Sequence, residues 1–496
     1  MRLSMPVLAR GAHAALLCTF AASCTVGPDY VRPQTPLPGT YRAGANDMAL
    51  HSPPTRWWTQ FQSPELDALI EDALTNNQDV RAAIHRIAQA EARAGIEAGT
   101  LLPQLKASAQ ADASAPKGGI GSTTTTSERS GRTFQVGLQA SYEIDLWGKN
   151  KSAMEAALAT AQASAFDRET VAMTLVADVA TTYFTFLQFC DRVVVYNNNV
   201  QNMSRVMDKV KRRRDLGEGS DLEVAQQAAI MAQAEATRAI LQLGREQQFN
   251  RLAVLLGRAP GEFALSCKPL AGLAIPDIRP GIPSELLLRR PDVRKAESDL
   301  VSANANINMA RAKLFPSLEL TGERGYGSSA LLNVLSPASL YWSIGASLAQ
   351  TLFDNGKTDA EIAYYEARFA ELVETYRKTI FSSLRDVEDA LATVHYAHDR
   401  NVSSTERVKF AREARRLSER SFTIGVIDYL TVLDTERTLY DAEDLEVQAR
   451  LSRLTAAVSL YKALGGGLED EDIPPRAAAQ PAPASDGAKE NSDAKG

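Results

Sequence analysis

Few residues in this 496-residue chain have the type and spacing that catalysis or metal binding needs. His395 and His398 are three positions apart on a predicted helix and could share a metal ion, but a zinc site needs at least a third protein ligand, and none lies near them in the sequence. The chain has no glycine-rich phosphate loop, no HExxH helix and no GxSxG turn. We therefore predict no metal site, no bound cofactor and no enzymatic activity.

The cysteine with the clearest chemical context is Cys24. An apolar run, 12–22, follows two arginines and is shorter than the roughly 20 residues of a membrane-spanning helix, which is typical of a secretory signal. Small residues precede Cys24 as in a bacterial lipoprotein cleavage site, although such sites usually have leucine where this chain has Ala21. We predict that 1–23 is a lipoprotein signal peptide and that Cys24 carries a covalent lipid. The alternative is an ordinary signal peptide with an incidental cysteine.

Charge and cysteine number narrow the classes of partner. Lys and Arg number 54 against 60 Asp and Glu, which gives a net charge of −6, and the basic residues form no dense block. Because binding to a phosphate backbone depends on such a block, we predict no nucleic-acid partner. Cys190 and Cys267 would remain beside Cys24 after signal cleavage, too few for a disulfide framework. We predict that both are unpaired thiols, buried or without a role.

The sequence contains an internal duplication. Asp79 and Pro103 match Asp292 and Pro316 at an offset of 292 − 79 = 213 positions. Farther along the offset becomes 208, as in the matched pairs Gly148 and Gly356, Gly217 and Gly425, and Leu256 and Leu464. The five-residue slip falls between Pro103 and Gly137, an interval that includes a stretch rich in Ser, Thr and Gly and typical of a surface loop.

Periodicity places the same elements in each repeat. Apolar residues alternate at period two in the strands and recur at threes and fours in the helices. The first repeat, 61–270, is predicted to contain strands 104–114 and 133–146, a long helix 148–214 and a helix 221–257. The second repeat, 271–470, is predicted to contain strands 317–326 and 340–350, a long helix 356–422 and a helix 430–465. Composition predicts an extended segment at 24–60 and a disordered tail at 471–496.

The strand count constrains assembly. Each predicted strand has about the 9–11 residues that cross a bilayer at a tilt, and the long helices would extend roughly 100 Å. Open sheet edges are not tolerated in hydrocarbon, because unpaired amides and carbonyls there cost several kcal/mol each. Bacterial barrels close with about eight strands or more. Four strands per chain therefore require at least two copies, and three would give twelve strands.

Several motifs together resemble the outer-membrane efflux lipoproteins of the TolC superfamily, OprM- and NodT-like. They are Gly27-Pro28-Asp29-Tyr30, Trp57-Trp58, Ile282-Pro283-Ser284-Glu285-Leu286-Leu287-Leu288-Arg289-Arg290-Pro291-Asp292-Val293, Leu352-Phe353-Asp354-Asn355-Gly356-Lys357 and Leu460-Tyr461-Lys462-Ala463-Leu464-Gly465-Gly466-Gly467. The resemblance implies a mainly α chain with a membrane β-barrel: a trimer with a 12-stranded barrel and a long periplasmic α-helical tunnel. It also implies a passive export duct in the outer membrane that works with a periplasmic membrane-fusion adaptor and an inner-membrane pump of the RND type.

The same resemblance assigns roles to the turns between long helices, 215–222 and 422–430. These turns would form the periplasmic entrance and contact the adaptor, through Gly217 and Gly219 in the first and Gly425 and Val426 in the second. The alternative is that the glycines only turn the chain.

Leu430 and Asp434 match the family segment that constricts the closed entrance. Three copies of Asp434 around an axis would favour cations. Residue 226, its counterpart in the first repeat, is Gln, so each chain would supply one carboxylate. The alternative is a solvated aspartate in the first turns of a helix.

Two other functions stay open at this point. A wholly periplasmic helical scaffold or adaptor would also need long helices and a lipid anchor. A duct for protein secretion would have the same architecture as a duct for small molecules. Selectivity for the cargo would lie mostly in the pump.

Overall fold

The computed structural model describes residues 26–42, 54–114, 131–278, 281 and 283–466. The predicted signal peptide, Cys24 and the predicted tail lie outside these residues.

The described residues form eight α-helices and one four-stranded sheet, with short 3-10 turns between them. The helices are α1 (Pro64–Asn76), α2 (Gln78–Gly99), α3 (Lys149–Asp215), α4 (Asp221–Leu255), α5 (Leu286–Arg289), α6 (Pro291–Ala312), α7 (Lys357–Thr423) and α8 (Tyr429–Ala463). The strands are β1 (Gln104–Ser114), β2 (Gly131–Ile144), β3 (Ser317–Ser328) and β4 (Leu340–Ala349). The bounds of the four strands and four longest helices lie within two residues of the predicted ones.

The two halves of the fold repeat each other closely. Helices α3 and α7 have 67 residues each, and α4 and α8 have 35 each. Both pairs are 208 positions apart, as the sequence offset predicts. The interval between β1 and β2 holds 16 residues and the interval between β3 and β4 holds 11, which accounts for the five-residue slip. The duplication therefore keeps its four longest helices constant in length and changes length between the paired strands.

Glycine and proline set the junctions between sheet and helices. Gly148 and Gly356, at φ +76° and +79°, precede α3 and α7, where the chain reverses from strand to helix. The left-handed region is favourable for glycine because it has no Cβ. Pro103 and Pro316 directly precede β1 and β3, since proline provides no amide to continue the preceding helix. These four positions fix where each strand begins or ends.

The sheet is antiparallel throughout, in the order β1-β2-β3-β4. Its register aligns Ala107 of β1 with Leu138 of β2, Leu138 with Arg324 of β3, and Arg324 with Trp342 of β4. Because side chains alternate between faces, this register gathers most apolar residues of the strands on one face and polar ones such as Gln139 on the other. Strands β1 and β4 are the two edges.

A large aromatic and aliphatic core lies where the helices of both repeats meet. Trp57, Trp58 and Phe61 are at most 1% exposed and pack with residues of α1, α3 and α8. The rings of Trp57 and Tyr461 stack with centroids 4.9 Å apart, and Phe61 lies 5.0 Å from Phe184. The tryptophan motif before α1 therefore attaches the N-terminal part of the chain to the last helix.

One of the long helices, α3, contains a strongly apolar stretch. Helix α3 contains an 18-residue window that is long and apolar enough to cross a membrane, judged by length and composition alone. Residues of that window are 67% buried inside the chain. The window is apolar because α3 packs against α1, α2, α4, α6 and α8, so its composition reflects a buried core helix.

Equivalent residues join helix ends in both repeats. Arg290 is 7% exposed, pairs with Asp292 and Asp386, and donates to the carbonyl of Ala463 at the end of α8. Its counterpart 213 positions earlier, Asn77, caps α2 and donates to the carbonyl of Leu255 at the end of α4, at 2.9 Å. The arginine motif that carried part of the resemblance therefore has a structural role, which is to satisfy a helix C-terminus.

The two internal cysteines correct the sequence prediction. Cys190 on α3 and Cys267 in the connection after α4 form a disulfide with a Cα–Cα distance of 5.7 Å, so the prediction of unpaired thiols was wrong. The connection is held against α3 because the amide of Leu270 donates to Asp191 at 2.9 Å. Arg450 also donates to the Leu270 carbonyl at 2.9 Å. A partner 77 positions away is set by tertiary packing, which local sequence patterns do not report.

We predict that replacing Cys190 and Cys267 together by alanine lowers the stability of the folded protein. The disulfide closes a loop across 77 positions, and the loop-closure entropy of such a loop corresponds to about 4 kcal/mol. The measurement is the thermal midpoint of the detergent-solubilised protein, with reduced wild-type protein as the matched control. Alkylation of both cysteines in denatured, unreduced protein would contradict the disulfide.

Candidate functional site at the helix turns

The candidate site consists of two turns, the first tip (215–222) between α3 and α4 and the second tip (422–430) between α7 and α8. Gly217 and Gly425 have φ +79° and +78°. The amide of Glu218 donates to the carbonyl of Arg213, and the amide of Val426 donates to the carbonyl of Ser421, at 2.9 and 3.0 Å. Each long helix therefore ends in the same glycine turn, which satisfies its last carbonyls.

Side-chain caps start the returning helices. Ser220 accepts a hydrogen bond from the amide of Glu223 at 3.3 Å, and Asp428 accepts one from the amide of Thr431 at 2.9 Å. Hydrogen bonds from Thr431 also hold the pKa of Asp428 below its usual value. Gly219 lies inside the first turn, where a Cβ would be 3.2 Å from the amide nitrogen of Arg214. Packing within the turn is thus sufficient reason for glycine at this position.

Both tips expose apolar side chains. These are Leu216 (75% exposed), Leu222 (65%), Ile424 (69%), Val426 (70%) and Leu430 (60%). The geometry of the turns does not require an apolar side chain at any of these positions. Large apolar side chains gathered at an exposed end are typical of a surface that another protein covers.

The predicted entrance residues lie on one face of α8. Leu430 and Asp434 are one helical turn apart and both are exposed. Val432 and Leu433, between them, are buried and pack with Val210 of α3. Asp434 forms no ion pair with any residue that the structure describes. The face that carries Leu430 and Asp434 is therefore turned away from the chain's own helices.

Close to the tips, a buried chain of hydrogen bonds joins the two repeats, and sequence reasoning missed it. The Tyr429 hydroxyl donates to the side-chain oxygen of Gln227 at 2.7 Å, and the Gln227 side-chain nitrogen donates to the carbonyl of Met203 at 2.9 Å. Gln227 is fully buried and Tyr429 is 4% exposed. Burial also raises the pKa of Tyr429 above its usual value, so the hydroxyl stays protonated and able to donate. The contact joins α8 to both helices of the first repeat.

One ion pair near the tips joins the two helices of the second repeat, and another joins the two repeats. The carboxylate of Glu436 is buried 3.4 Å from the guanidinium of Arg415, and burial raises its pKa although Arg415 opposes the shift. Nearby, Lys209 of α3 lies 3.3 Å from Glu419 of α7. The two contacts between repeats, Tyr429 with Gln227 and Lys209 with Glu419, join residues 202 and 210 positions apart. Periodicity within one helix therefore could not have identified them.

No metal-binding cluster forms in the described part of the chain. His395 and His398 are both exposed on α7, and His395 lies 3.6 Å from Asp399. No group of three or more His, Cys, Asp or Glu side chains comes together among the residues that the structure describes.

Comparison with known proteins decides the family. The model of the family described as outer membrane efflux protein matches residues 69–258 and 282–466, which include both helix pairs and all four strands. The chain belongs to the outer membrane efflux protein family. The predicted membership, the outer-membrane location and the function as an efflux channel extending into the periplasm are thereby confirmed.

Individual relatives agree with this assignment. The chain is 38% identical to the pyoverdine export outer membrane protein OpmQ of Pseudomonas putida over 442 residues, which cover 88% of this chain and 93% of the relative. It is 30% identical to the outer membrane protein OprJ of Pseudomonas aeruginosa, over 93% and 96% of the two chains.

Solved structures support the fold of the efflux channel. The outer-membrane channel OprN superimposes with a TM-score of 0.83 at 29% identity, covering 90% of this chain and 99% of that one. The open-state MtrE channel of Neisseria gonorrhoeae gives a TM-score of 0.78 at 29% identity, with coverage of 90% and 99%. The predicted fold class is thus confirmed. The roles of the tip glycines, Val426, Leu430 and Asp434 stay predictions.

We predict that Tyr429→Phe weakens the attachment of α8 in this efflux channel. The substitution leaves the buried side-chain oxygen of Gln227 without its donor, at a cost of about 1–3 kcal/mol. Amide hydrogen exchange should become faster at the start of α8. Adding Gln227→Leu removes the unpaired group and should restore part of the loss, whereas Tyr364→Phe, at an exposed tyrosine, should have little effect. Unchanged exchange in Tyr429→Phe would show that the hydrogen bond does not hold the helix.

Proposed function

We propose that this efflux channel is a homotrimer that conducts small molecules passively from an inner-membrane pump and a periplasmic adaptor to the cell exterior. The observation that carries the proposal is the sheet: four strands, open at β1 and β4, with one largely apolar face. The following steps support the trimer, the cargo, the partners and the anchor in turn.

The open edges favour assembly into a closed barrel. In hydrocarbon the unpaired amides and carbonyls of β1 and β4 would each cost several kcal/mol. Pairing β4 of one copy with β1 of the next satisfies both edges and continues the antiparallel order. Three copies give twelve strands, within the range of bacterial barrels, and the family resemblance favours this number over two.

The names of relatives support a small-molecule cargo. They describe export of pyoverdine and efflux of solvent, toluene and antibiotics by those proteins. None of these cargoes is a protein, so small-molecule efflux is favoured over protein secretion. The chain itself contributes a path, and we propose no chemical step on the cargo.

The apolar residues at the tips support contact with the adaptor. Gly217, Gly219 and Gly425 are explained by the turns themselves, through positive φ or close packing. The exposure of Val426, with its apolar neighbours at both tips, has no such explanation. We therefore assign the adaptor contact mainly to these side chains, with the glycines allowing close approach of a helical partner. The partner's pump would be of the RND type, on the family resemblance.

Leu430 and Asp434 support a constriction at the entrance. In a trimer, the face of α8 that carries Leu430 and Asp434 would meet the same face of the other two copies near the three-fold axis. The first repeat has Gln226 at the equivalent position, so the ring would hold three carboxylates rather than six. Like charges at close range favour cations in the pore.

The position of the N-terminal segment supports a lipid on Cys24. The amide of Val26 donates to the carbonyl of Trp147, which follows the end of β2 nearest the helices. Cys24 lies two residues before Val26, and two extended residues span at most about 7 Å. A lipid there would enter the membrane beside the base of the barrel.

The test of the function is electrical and cellular. Purified protein in planar bilayers should form pores of uniform conductance, and deletion of the gene should raise sensitivity to small toxic compounds without loss of an enzymatic product. A protein that remains a soluble monomer and forms no pores would overturn the proposal.

We predict that Asp434→Asn lowers cation selectivity and weakens block of the pore by divalent cations, because it removes the negative charge of the ring without changing its size. The measurements are reversal potentials in a salt gradient and conductance during titration with magnesium. Asp441→Asn, farther along α8, is the control. Equal selectivity of Asp434→Asn and wild type would place the constriction elsewhere.

We predict that Cys24→Ser abolishes lipid attachment and signal removal at this site. Mass spectrometry of the mature wild-type protein should find a diacylglyceryl-modified, acylated cysteine at the N-terminus, whereas the variant should keep its signal or be cut elsewhere. An unmodified Cys24 in the wild type would favour the ordinary signal peptide.

A further inference from the structure

The outer half of the sheet carries two arginines on its otherwise apolar face, Arg132 near the strand ends farthest from the helices and Arg324 farther in. The sheet register places these residues on one face, called here the apolar face: Leu105, Ala107, Ala109, Phe134, Val136, Leu138, Leu320, Tyr326, Leu340, Trp342, Ile344 and Leu348. Arg324 belongs to the same face, aligned with Leu138 on one side and Trp342 on the other. In a membrane barrel this face is the one that contacts lipid.

Among the described residues, none offsets the charge of Arg324. It is exposed, and it makes no ion pair or side-chain hydrogen bond with any residue in the described part of the chain. Its neighbours Leu138 and Trp342 are 50% and 72% exposed and offer no carboxylate. A charge on the lipid face of a barrel is unfavourable unless a ligand or the interface accommodates it.

A groove of about 680 Å³ lies beside this arginine. Its walls are side chains of the apolar face together with one loop residue: Ala107, Ala109, Val136, Leu138, Arg324, Tyr326, Leu335 and Leu340. Its floor is the backbone of Ser108, Gly137 and Gly325, whose side-chain positions point to the other face. The small alanines of β1 leave a trough between larger side chains, and the trough is apolar except at Arg324.

The loop between β3 and β4 turns toward the same side. Leu335 lines the groove, and Leu331, Leu332 and Leu335 are 63%, 98% and 71% exposed. Such exposure of three leucines in an 11-residue loop is unfavourable in water but suits the boundary between headgroups and acyl chains. The loop and the groove thus both favour contact with lipid.

The depth of Arg324 matches a lipid headgroup. It lies four residues before Ser328, the end of β3 farthest from the helices. With the usual strand rise and barrel tilt, its Cα is about 10 Å below that end along the membrane normal. A long arginine side chain can extend toward the interface while its stem stays in the apolar layer. Tyr326 and Trp342 are at similar depth, as expected for an aromatic belt.

We propose that Arg324 and this groove bind lipid A, with a phosphate on the guanidinium and an acyl chain along the alanine trough. The proposal rests on the barrel assembly of the proposed function. Arginine binds phosphate through paired N–H donors, and the site lies at the end of the barrel away from the periplasmic helices, where the leaflet consists of phosphorylated glycolipid. A phospholipid of the inner leaflet would meet the opposite end of the sheet.

The test uses the mature, assembled protein after exchange into a phosphate-free detergent. Native mass spectrometry follows titration with lipid A, with dephosphorylated lipid A and with phosphatidylglycerol. Arg324→Gln should weaken lipid A binding about tenfold or more, and Arg324→Lys should retain an intermediate affinity. Lys106→Gln, which removes one positive charge from the polar face of β1, is the matched control and should bind as the wild type does.

Three results would overturn the site. They are equal lipid A binding by Arg324→Gln and wild type, equal binding of lipid A with and without its phosphates, and tighter binding of phosphatidylglycerol than of lipid A. Pore formation is measured on the same preparations. Arg324→Gln should keep wild-type conductance, so loss of the lipid site is distinguishable from failure of the channel, which would appear as absence of pores in the wild type.

Discussion

Backbone hydrogen bonding in hydrocarbon is the constraint on which this architecture depends. A helix satisfies its own amides and carbonyls, so α3 and α7 can each reach 67 residues without help from another chain. The sheet cannot do the same, because β1 and β4 each leave one edge open. The chain therefore combines helices that are complete as they stand with a sheet that is completed only by other copies, and the number of copies sets the width of the duct.

Because of the duplication, the sheet and the long helices are joined in the same way in each half of the chain. Each repeat sends two strands into the membrane and one long helix pair away from it, with the same glycine at each junction and each tip. The two repeats are not identical in their side chains. At the tips, Tyr429 and Asp434 have Asp221 and Gln226 as counterparts, so the second repeat alone supplies the buried hydroxyl and the exposed carboxylate. A duct with identical repeats would have no such distinction between its two helix pairs.

Local patterns were sufficient for the elements of this fold but not for contacts between them. Alternation and helical periodicity placed the strands and long helices within two residues, because each pattern reports which face of an element is buried. The Cys190–Cys267 disulfide and the Tyr429–Gln227 hydrogen bond join residues 77 and 202 positions apart. Such pairs depend on how the helices pack, and the sequence around one partner does not identify the other.

Strand β3 has the weakest alternation of the four strands, and the residues that break its pattern are informative about function. Strand β3 alternates poorly because Gly322 and Arg324 occupy positions where its neighbours carry Ala140, Leu138, Ile344 and Trp342. If β3 served only to fill the sheet, an apolar residue at position 324 would be the more stable choice on a lipid-facing surface. Departures from a local rule that the fold does not require are expected at functional sites. The arginine therefore indicates a ligand in the membrane itself, at a point where the duct contacts lipid rather than cargo.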